Sequence, residues 1–371
     1  MRASTGSDAI TRRNFTLAAA AGVAAASLGG ANLAFGQPAA SGPHRVIIDT
    51  DPGVDDAFAL LLAMRSPELK IEGITPVAGN VPLELTLPNA LRMVEIANRP
   101  DIPVAVGART PLMRRLVTAT YAHGENGLGG AVFPEPKLKP IADSAAVFIR
   151  RIVRQYPGEV TIITLGPQTN LATALASDPD LARMIKGVTM MGGSLSGGNV
   201  TPAAEFNVYV DPEAARMVFQ SGIPVTMVGL DVTRKTALTD AHVKTLEAAG
   251  TAVSLAAAKI ARNDIDLNRK EGNTSGPNMH DSLALASFLD PSLLTWKPYY
   301  VDVEVQGELT AGETLGYRPS ESGLRGSAPT LAGTKTSVEL RDKFVPNANV
   351  AVDVNSARFF ELLIGRLARK A

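Results

Sequence analysis

From Arg45 onward, short runs of branched apolar residues alternate with longer stretches in which apolar positions recur every three or four residues. The first kind has the length and composition of strands, the second the periodicity of helices. Strands are expected at 45–49, 71–77, 102–106, 160–165, 187–191, 224–228 and 300–305. Helices are expected at 55–65, 87–98, 144–155, 212–221 and 252–264. The runs VII, TIIT, VTMM and VTMV contain almost no polar interruption, as required of strands covered on both faces. The pattern predicts one α/β domain over 44–371: a mostly parallel open sheet with helices on both faces. Residues 350–370 read as a last strand followed by a docked amphipathic helix. The Gly/Ser/Pro-rich stretch 312–333 reads as a long excursion, either a β-ribbon or a mobile loop.

In such sheets chemistry gathers beyond the carboxyl ends of the strands. Polar loops stand at several of those ends, at Gly79-Asn80, at 166–170 and at 192–199. The densest is DTDPGVDD, which follows the first strand and sets Asp49, Asp51, Asp55 and Asp56 within eight positions. Carboxylates this close repel unless something positive lies among them. Asp55 could cap the helix it opens, and Asp49 could be held by backbone donors. Those roles account for part of the cluster. All four together call for a hard cation with oxygen ligands, Ca²⁺ or Mg²⁺ by donor type. The spacing of glycine and glutamate excludes a calcium-binding helix–loop–helix.

The first 36 residues are a different material: TRRNF, then a run of Ala, Gly, Val and Leu from 17 to 28, then AFGQPAA. This order describes an export signal, and Arg12-Arg13 before Phe15 gives it a twin-arginine form. The expectation is an exported protein, cleaved near Gly36, working in the periplasm. Residues 1–36 hold three basic and one acidic residue, leaving 33 basic against 35 acidic and a net charge of −2. That balance gives no reason to expect nucleic acid as a partner. The apolar run is too short for a stable membrane insertion. The chain has no cysteine, so disulfides, thiolate zinc sites and cysteine nucleophiles are excluded.

Three further clusters carry chemistry. In GGNVTPAAEFNVYVDPEAA, Asn199, Glu205 and Asn207 combine amides with one carboxylate, a set suited to hydroxyl groups and poorly suited to phosphate. The alternative is a polar loop that satisfies its own backbone. In NMHDSLALA, Asp281 suits either a helix cap or a cation site, and His280 could give a proton near neutral pH. In AHGENGLGG, His123 lies in a glycine-rich loop of the kind that carries function as readily as it decorates a surface.

Taken in order, DTDPGVDD, VAGN, HGENGLG, LGPQTNLA, GNVTPAAEFNVYVDPEAA and HDSLALA resemble the nucleoside hydrolases, the inosine–uridine-preferring family, across 45–286. The resemblance implies hydrolysis of the N-glycosidic bond of ribonucleosides and a Ca²⁺ ion held by Asp51, Asp56, Asp281 and the Leu165 carbonyl. Thr is usual at that last position, but a carbonyl ligand does not depend on its side chain. It implies Asp55 and Asn80 on the ribose 2′- and 3′-hydroxyls, Asn207 with Asp281 on the 3′-hydroxyl, and Asn199 with Glu205 on the 5′-hydroxyl. Asp51 becomes the base that activates the attacking water, and His280, with His123 as second candidate, the acid for the leaving base. A histidine before the last metal-binding aspartate goes with inosine/uridine or broad specificity, in a role of nucleoside salvage. Trp296, the only tryptophan, falls outside these motifs and is expected in the core or at an interface. Such enzymes are commonly dimers or tetramers, so a homo-oligomer is expected.

Two rivals remain at this point. A phosphohydrolase with an aspartate nucleophile also opens with DxD after a first strand, but Pro52 stands where its Gly-Thr should be and no lysine stands in any motif. An exported sugar- or nucleoside-binding protein would explain the hydroxyl-binding groups. It would not explain a cation beside them.

Overall fold

The computed structural model describes residues 42–270, 276–318 and 345–370. The predicted signal, 1–36, lies outside them, as does most of the 312–333 excursion. The parallel core is built from β1 (His44–Thr50), β2 (Leu69–Pro76), β5 (Thr161–Thr164), β6 (Gly187–Met191), β7 (Val225–Val228) and β10 (Ala348–Val354). Two antiparallel strands, β8 (Leu294–Val303) and β9 (Thr314–Tyr317), extend it beyond β10, giving the order β2-β1-β5-β6-β7-β10-β8-β9. A separate two-stranded piece pairs β3 (Ala105–Val106) with β4 (Ile141–Ser144).

Alternation along the strands builds two cores. On β1, Val46 and Ile48 face one apolar cluster and Ile47 faces the other. The first face is covered by α1 (Val54–Met64), α2 (Leu83–Ile96), α9 (Asp240–Ala249), α10 (Ala252–Lys270), α11 (His280–Leu289) and α12 (Ser356–Ala368). The second is covered by α4 (Ala145–Gln155), α5 (Thr169–Ser177) and α7 (Pro212–Gln220). Short helical turns α3 (Thr120–His123), α6 (Phe206–Val210) and α8 (Leu230–Thr233) sit in the loops. Every residue of α1 is buried, because the sheet lies on one side and α11, α2, α10 and α12 crowd the other. That explains why its sequence is apolar all round rather than striped.

The expected strands are present within a residue or two, with two exceptions. The strand expected at 300–305 is β8, which starts six residues earlier, at Leu294, and runs antiparallel to β10. Residues 102–104 do not join the main sheet: Ile74 and Val104 form an isolated bridge, and only 105–106 form a strand, paired with β4. Pro103 supplies no N–H to a ladder, and its carbonyl is spent on the Ile74 amide. Helix α2 starts four residues earlier than expected and carries Pro88 inside it. Helix α10 runs six residues past the expected end. Within the excursion, the described part of the stretch is a β-ribbon, since β9 pairs antiparallel with β8.

Strand β1 receives β2 on one flank and β5 on the other. Successive strands therefore leave it in opposite directions. The loops after β1, β2 and β5 splay apart at their carboxyl ends and open a crevice there.

Candidate functional site

The crevice begins at Asp49, whose carboxylate lies within β1, fully buried. It is held by side chains rather than by the backbone donors expected: Thr75 Oγ1 and, at 2.8 Å, Asn170 Nδ2 both donate to Oδ2. Burial pushes this carboxyl up to about 7.

Asp51, just past the strand, is also fully buried. The Asn80 amide donates to its Oδ2 at 2.7 Å, while Oδ1 has no hydrogen-bond partner. Two glycines make room for it. A Cβ on Gly166 would stand 2.5 Å from Oδ1, and one on Gly79 would overlap Oδ2. Burial and then the charge of Asp56 push Asp51 well above the ordinary carboxylate range. An unpaired, desolvated carboxylate oxygen costs several kcal/mol unless a proton or a cation meets it.

Helix α1 opens differently from the expectation. Gly53 is its N-cap, and Asp56, not Asp55, closes the turn by accepting the Gly53 amide at 2.9 Å. Asp56 also accepts Asn80 Nδ2 at 3.0 Å, Thr50 Oγ1 and the Asp51 amide. Asp55 is thereby released toward the open cleft, where its Oδ2 accepts the Asp281 amide at 3.3 Å. Asp281 is likewise not a cap: Met279 holds that position in α11, and Asp281 stands in the first turn. Carboxylate oxygens of Asp55, Asp56 and Asp281 lie within 4.8 Å of one another. The expected ligand set had Asp51 in place of Asp55; Asp51 adjoins this triad from beneath. Burial and the charges of Asp55, Asp56 and Asp51 all push Asp281 well up. The donor set is all oxygen, mostly anionic and dry, which fits a hard divalent cation.

Above the carboxylates is a cleft of about 220 Å³ lined by Asp55, Asn80, His123, Leu165, Asn199, Glu205, Asn207, His280 and Asp281. The structure thus brings together every expected site residue, with Asp51 and Asp56 under the floor. Glu205 caps α6. It accepts the amides of Asn207 at 2.9 Å, Val208 at 3.1 Å and Gly193 at 2.9 Å, yet burial outweighs them and pushes it up to about 7. Asn199 Oδ1 accepts the Phe206 amide at 3.0 Å, which leaves its NH₂ as the group for a ligand. These side chains therefore satisfy their own backbone and line the cleft at once. Asn207 Nδ2 donates to the Leu165 carbonyl at 2.7 Å, so one lone pair of that oxygen is taken.

Both histidines stand near Asp55. The Val54 amide donates to His123 Nδ1 at 3.1 Å, so a neutral ring carries its proton on Nε2; the same Nδ1 lies 4.0 Å from Asp55. His280 Nδ1 meets Thr233 Oγ1 at 2.7 Å. Burial lowers the His280 pKa, against the opposing pull of Asp55, so the ring is neutral at pH 7.

Tyr121, Met191, Phe206 and Asp264 also line the cleft and were not singled out in the sequence. Asp264 did leave a signal: it falls on the apolar stripe of α10 between Ala261 and Ile265 and is buried. An acid on such a stripe is unusual. Tyr121 left none beyond its nearness to His123. Trp296 lies on β8 with its indole N–H donating to the Pro291 carbonyl at 2.9 Å, away from the cleft.

Among curated proteins the chain is similar to the "Pyrimidine-specific ribonucleoside hydrolase RihA" of Enterobacter sp. (strain 638), 42% identical over 87% of this chain and 97% of the relative. To the protein of that name from Salmonella gallinarum it is 44% identical, over 87% and 97%. Among solved structures it resembles a plant nucleoside hydrolase, PpNRh1, with a TM-score of 0.79, 34% identity and coverage of 88% and 100%. A purine-preferring ribonucleoside hydrolase from Gardnerella vaginalis superposes with a TM-score of 0.77, 32% identity and coverage of 87% and 98%. Residues 46–361 match the family described as inosine-uridine preferring nucleoside hydrolase. With that match over most of the chain and with relatives at 42 and 44% identity covered over 97% of their length, the chain belongs to the inosine-uridine preferring nucleoside hydrolases.

Proposed function

We propose that this nucleoside hydrolase splits ribonucleosides into free base and ribose with the help of Ca²⁺, with broad base specificity that favours pyrimidines, and that it does so after export, in nucleoside salvage. The observation that carries the reading is the unpaired Oδ1 of Asp51, packed against buried carboxylates beneath a cleft walled with amides and acids. The names of the relatives at 42 and 44% identity support pyrimidine nucleosides, while the purine-preferring neighbour at 32% supports breadth. The Arg12-Arg13 pair and its apolar run support export, which fractionation of the producing cells tests; mature protein found only in the cytoplasm would refute it.

Asp51, Asp56, Asp281 and the Leu165 carbonyl would hold the cation, which when bound supplies positive charge to the carboxylates and acidifies a water. Asp51 takes a proton from the attacking water. Asp55 and Asn80 grip the ribose 2′- and 3′-hydroxyls, Asn207 and Asp281 the 3′-hydroxyl, and Asn199 and Glu205 the 5′-hydroxyl. As the bond to the base stretches, positive charge grows on the ribose, and the Asp55 and Asp281 carboxylates stabilise it. The base leaves as an anion unless protonated, and His280 or His123 gives that proton as an imidazolium, after first taking one up from solvent, and returns to the neutral ring.

The first test incubates the mature chain with uridine, cytidine, inosine and adenosine and assays free ribose. Release abolished by EDTA and restored by Ca²⁺, with Asp51→Asn reducing kcat by about 10²–10⁴-fold, is expected. Folded, calcium-loaded protein that binds nucleosides without releasing ribose would establish the binding-protein reading instead.

The histidines are separated by leaving group. His280→Ala and His123→Ala should each be compared on uridine and on 4-nitrophenyl riboside, whose phenolate needs no proton. The variant lacking the true acid loses about 10²-fold or more on uridine and little on the nitrophenyl compound. Equal losses on both substrates, from both variants, would remove the acid role.

Stability has a pH signature of definite sign. Glu205 and Asp49 both titrate near 7 in the fold, against 4.5 and 3.8 when unperturbed. A raised carboxyl holds its proton better folded than unfolded. Its cost is therefore absent below the unfolded pKa and complete above about 7, about 3 kcal/mol for Glu205 and about 4 kcal/mol for Asp49. Metal-free protein should lose melting temperature steadily from pH 4 to pH 8, and Glu205→Gln should flatten part of that slope. Added Ca²⁺ should raise the melting temperature more at pH 8 than at pH 5. A metal-free curve that rises over this range would contradict the assignment.

A further inference from the structure

We infer that Thr314 on β9 and Asp231 on α8 are positioning residues for the part of the cleft that receives a substrate's 5′-hydroxyl; this rests on the reading of Asn199 and Glu205 proposed above. Both act through the loop that follows β6, residues 192–199. That loop carries Asn199 at its end, and its Gly193 amide is one of the three donors that fix the Glu205 carboxylate.

Within the loop the Ser196 amide donates to the Ser194 hydroxyl at 3.2 Å. Its other fastenings come from outside, and Thr314 supplies the central pin. The Thr314 hydroxyl donates to the Ser194 carbonyl at 2.6 Å and accepts the Ser194 amide at 2.8 Å. One side chain thus satisfies both backbone groups of a buried residue, as a neighbouring strand would. Ser194 and Thr314 are 3% and 4% exposed, so water cannot take over either bond. The fit is close: Gly193 has φ +72°, and a Cβ there would stand 2.9 Å from Thr314 Cγ2 and 3.0 Å from its hydroxyl.

Asp231 supplies the second pin. Its carboxylate accepts the Leu195 amide at 2.9 Å and the Ser196 hydroxyl at 2.6 Å, and Arg234 on the same segment donates to the Gly198 carbonyl. The ribbon that bears Thr314 also touches the other wall of the subsite. A Cβ on Gly312 would come 2.8 Å from Tyr209 Cα and 3.1 Å from Ala204 Cβ, on either side of Glu205. The antiparallel ribbon β8–β9 is thereby a buttress for the sugar end of the cleft.

The test compares uridine with 5′-deoxyuridine, which lacks only the group this subsite holds, in wild type, Thr314→Val, Thr314→Ser and Asp231→Asn. Wild type should prefer uridine by at least tenfold in kcat/KM, the worth of a hydrogen bond to a charged group. Thr314→Val should lose about tenfold on uridine and little on the deoxy compound, collapsing the preference, and Thr314→Ser should restore it. Asp231→Asn should shrink the preference in the same direction, and it carries the test alone if Thr314→Val does not fold. Equal losses on both substrates would mean that the two residues only stabilise the protein, and would overturn the inference. Variants with an unchanged preference would overturn it too. A wild type indifferent to the 5′-hydroxyl would instead refute the assigned role of Glu205 and Asn199, and the inference with it.

Discussion

Buried like charge is the constraint on which the rest of the architecture depends. Asp51, Asp55, Asp56 and Asp281 crowd one another at the switch point of the sheet, and burial together with neighbouring carboxylate charge pushes the Asp51, Asp56 and Asp281 carboxyls up. Such a cluster persists only if the fold supplies donors, protons or a cation at each oxygen. The surrounding structure answers most of this need with backbone amides: Asn80 to Asp51, Gly53 to Asp56, and Asp281 to Asp55. Among the described residues two buried carboxylate oxygens are left unanswered, Asp49 Oδ1 and Asp51 Oδ1, and of these Asp51 is the one that feels the charges of Asp56 and Asp55, which indicates where positive charge belongs.

Those donors dictate local sequence. Gly53, Gly79 and Gly166 are glycines because a side chain at any of them would occupy space taken by Asp51, Asn80 or His123. The amide loops after β2 and β5 then become walls, and α1 and α11 deliver their first turns to the same point. Helix starts suit this task, since their free N–H groups favour carboxylates.

Much of this was legible in advance, and what was not has identifiable causes. Strands buried on both faces announce themselves by composition, so the parallel sheet could be read directly; the Ile102–Val104 segment failed because Pro103 breaks a ladder that apolarity alone suggests. The site's members were visible as clusters of acids and amides. Their local roles were less so: Asp55 and Asp56 are adjacent and chemically identical, and only the backbone path at Gly53 decides which one closes the helix. Tyr121 and Asp264 join the cleft through loop and helix packing over long sequence separations, which no local pattern encodes. The buttressing by Thr314 was hidden for the same reason, being a contact across 120 residues.

The meeting of Asp55 with the Asp281 amide spans 226 residues. An ion bridging the first β-strand's turn and α11 closes a loop of that length. The chain has no cysteine with which to make such a closure covalently. Loop closure of this size removes several kcal/mol of conformational freedom from the unfolded chain in the cross-link picture, about as much as a long-range disulfide. A cation held there would then also be a staple, one that is reversible and answers to the concentration of free metal around it.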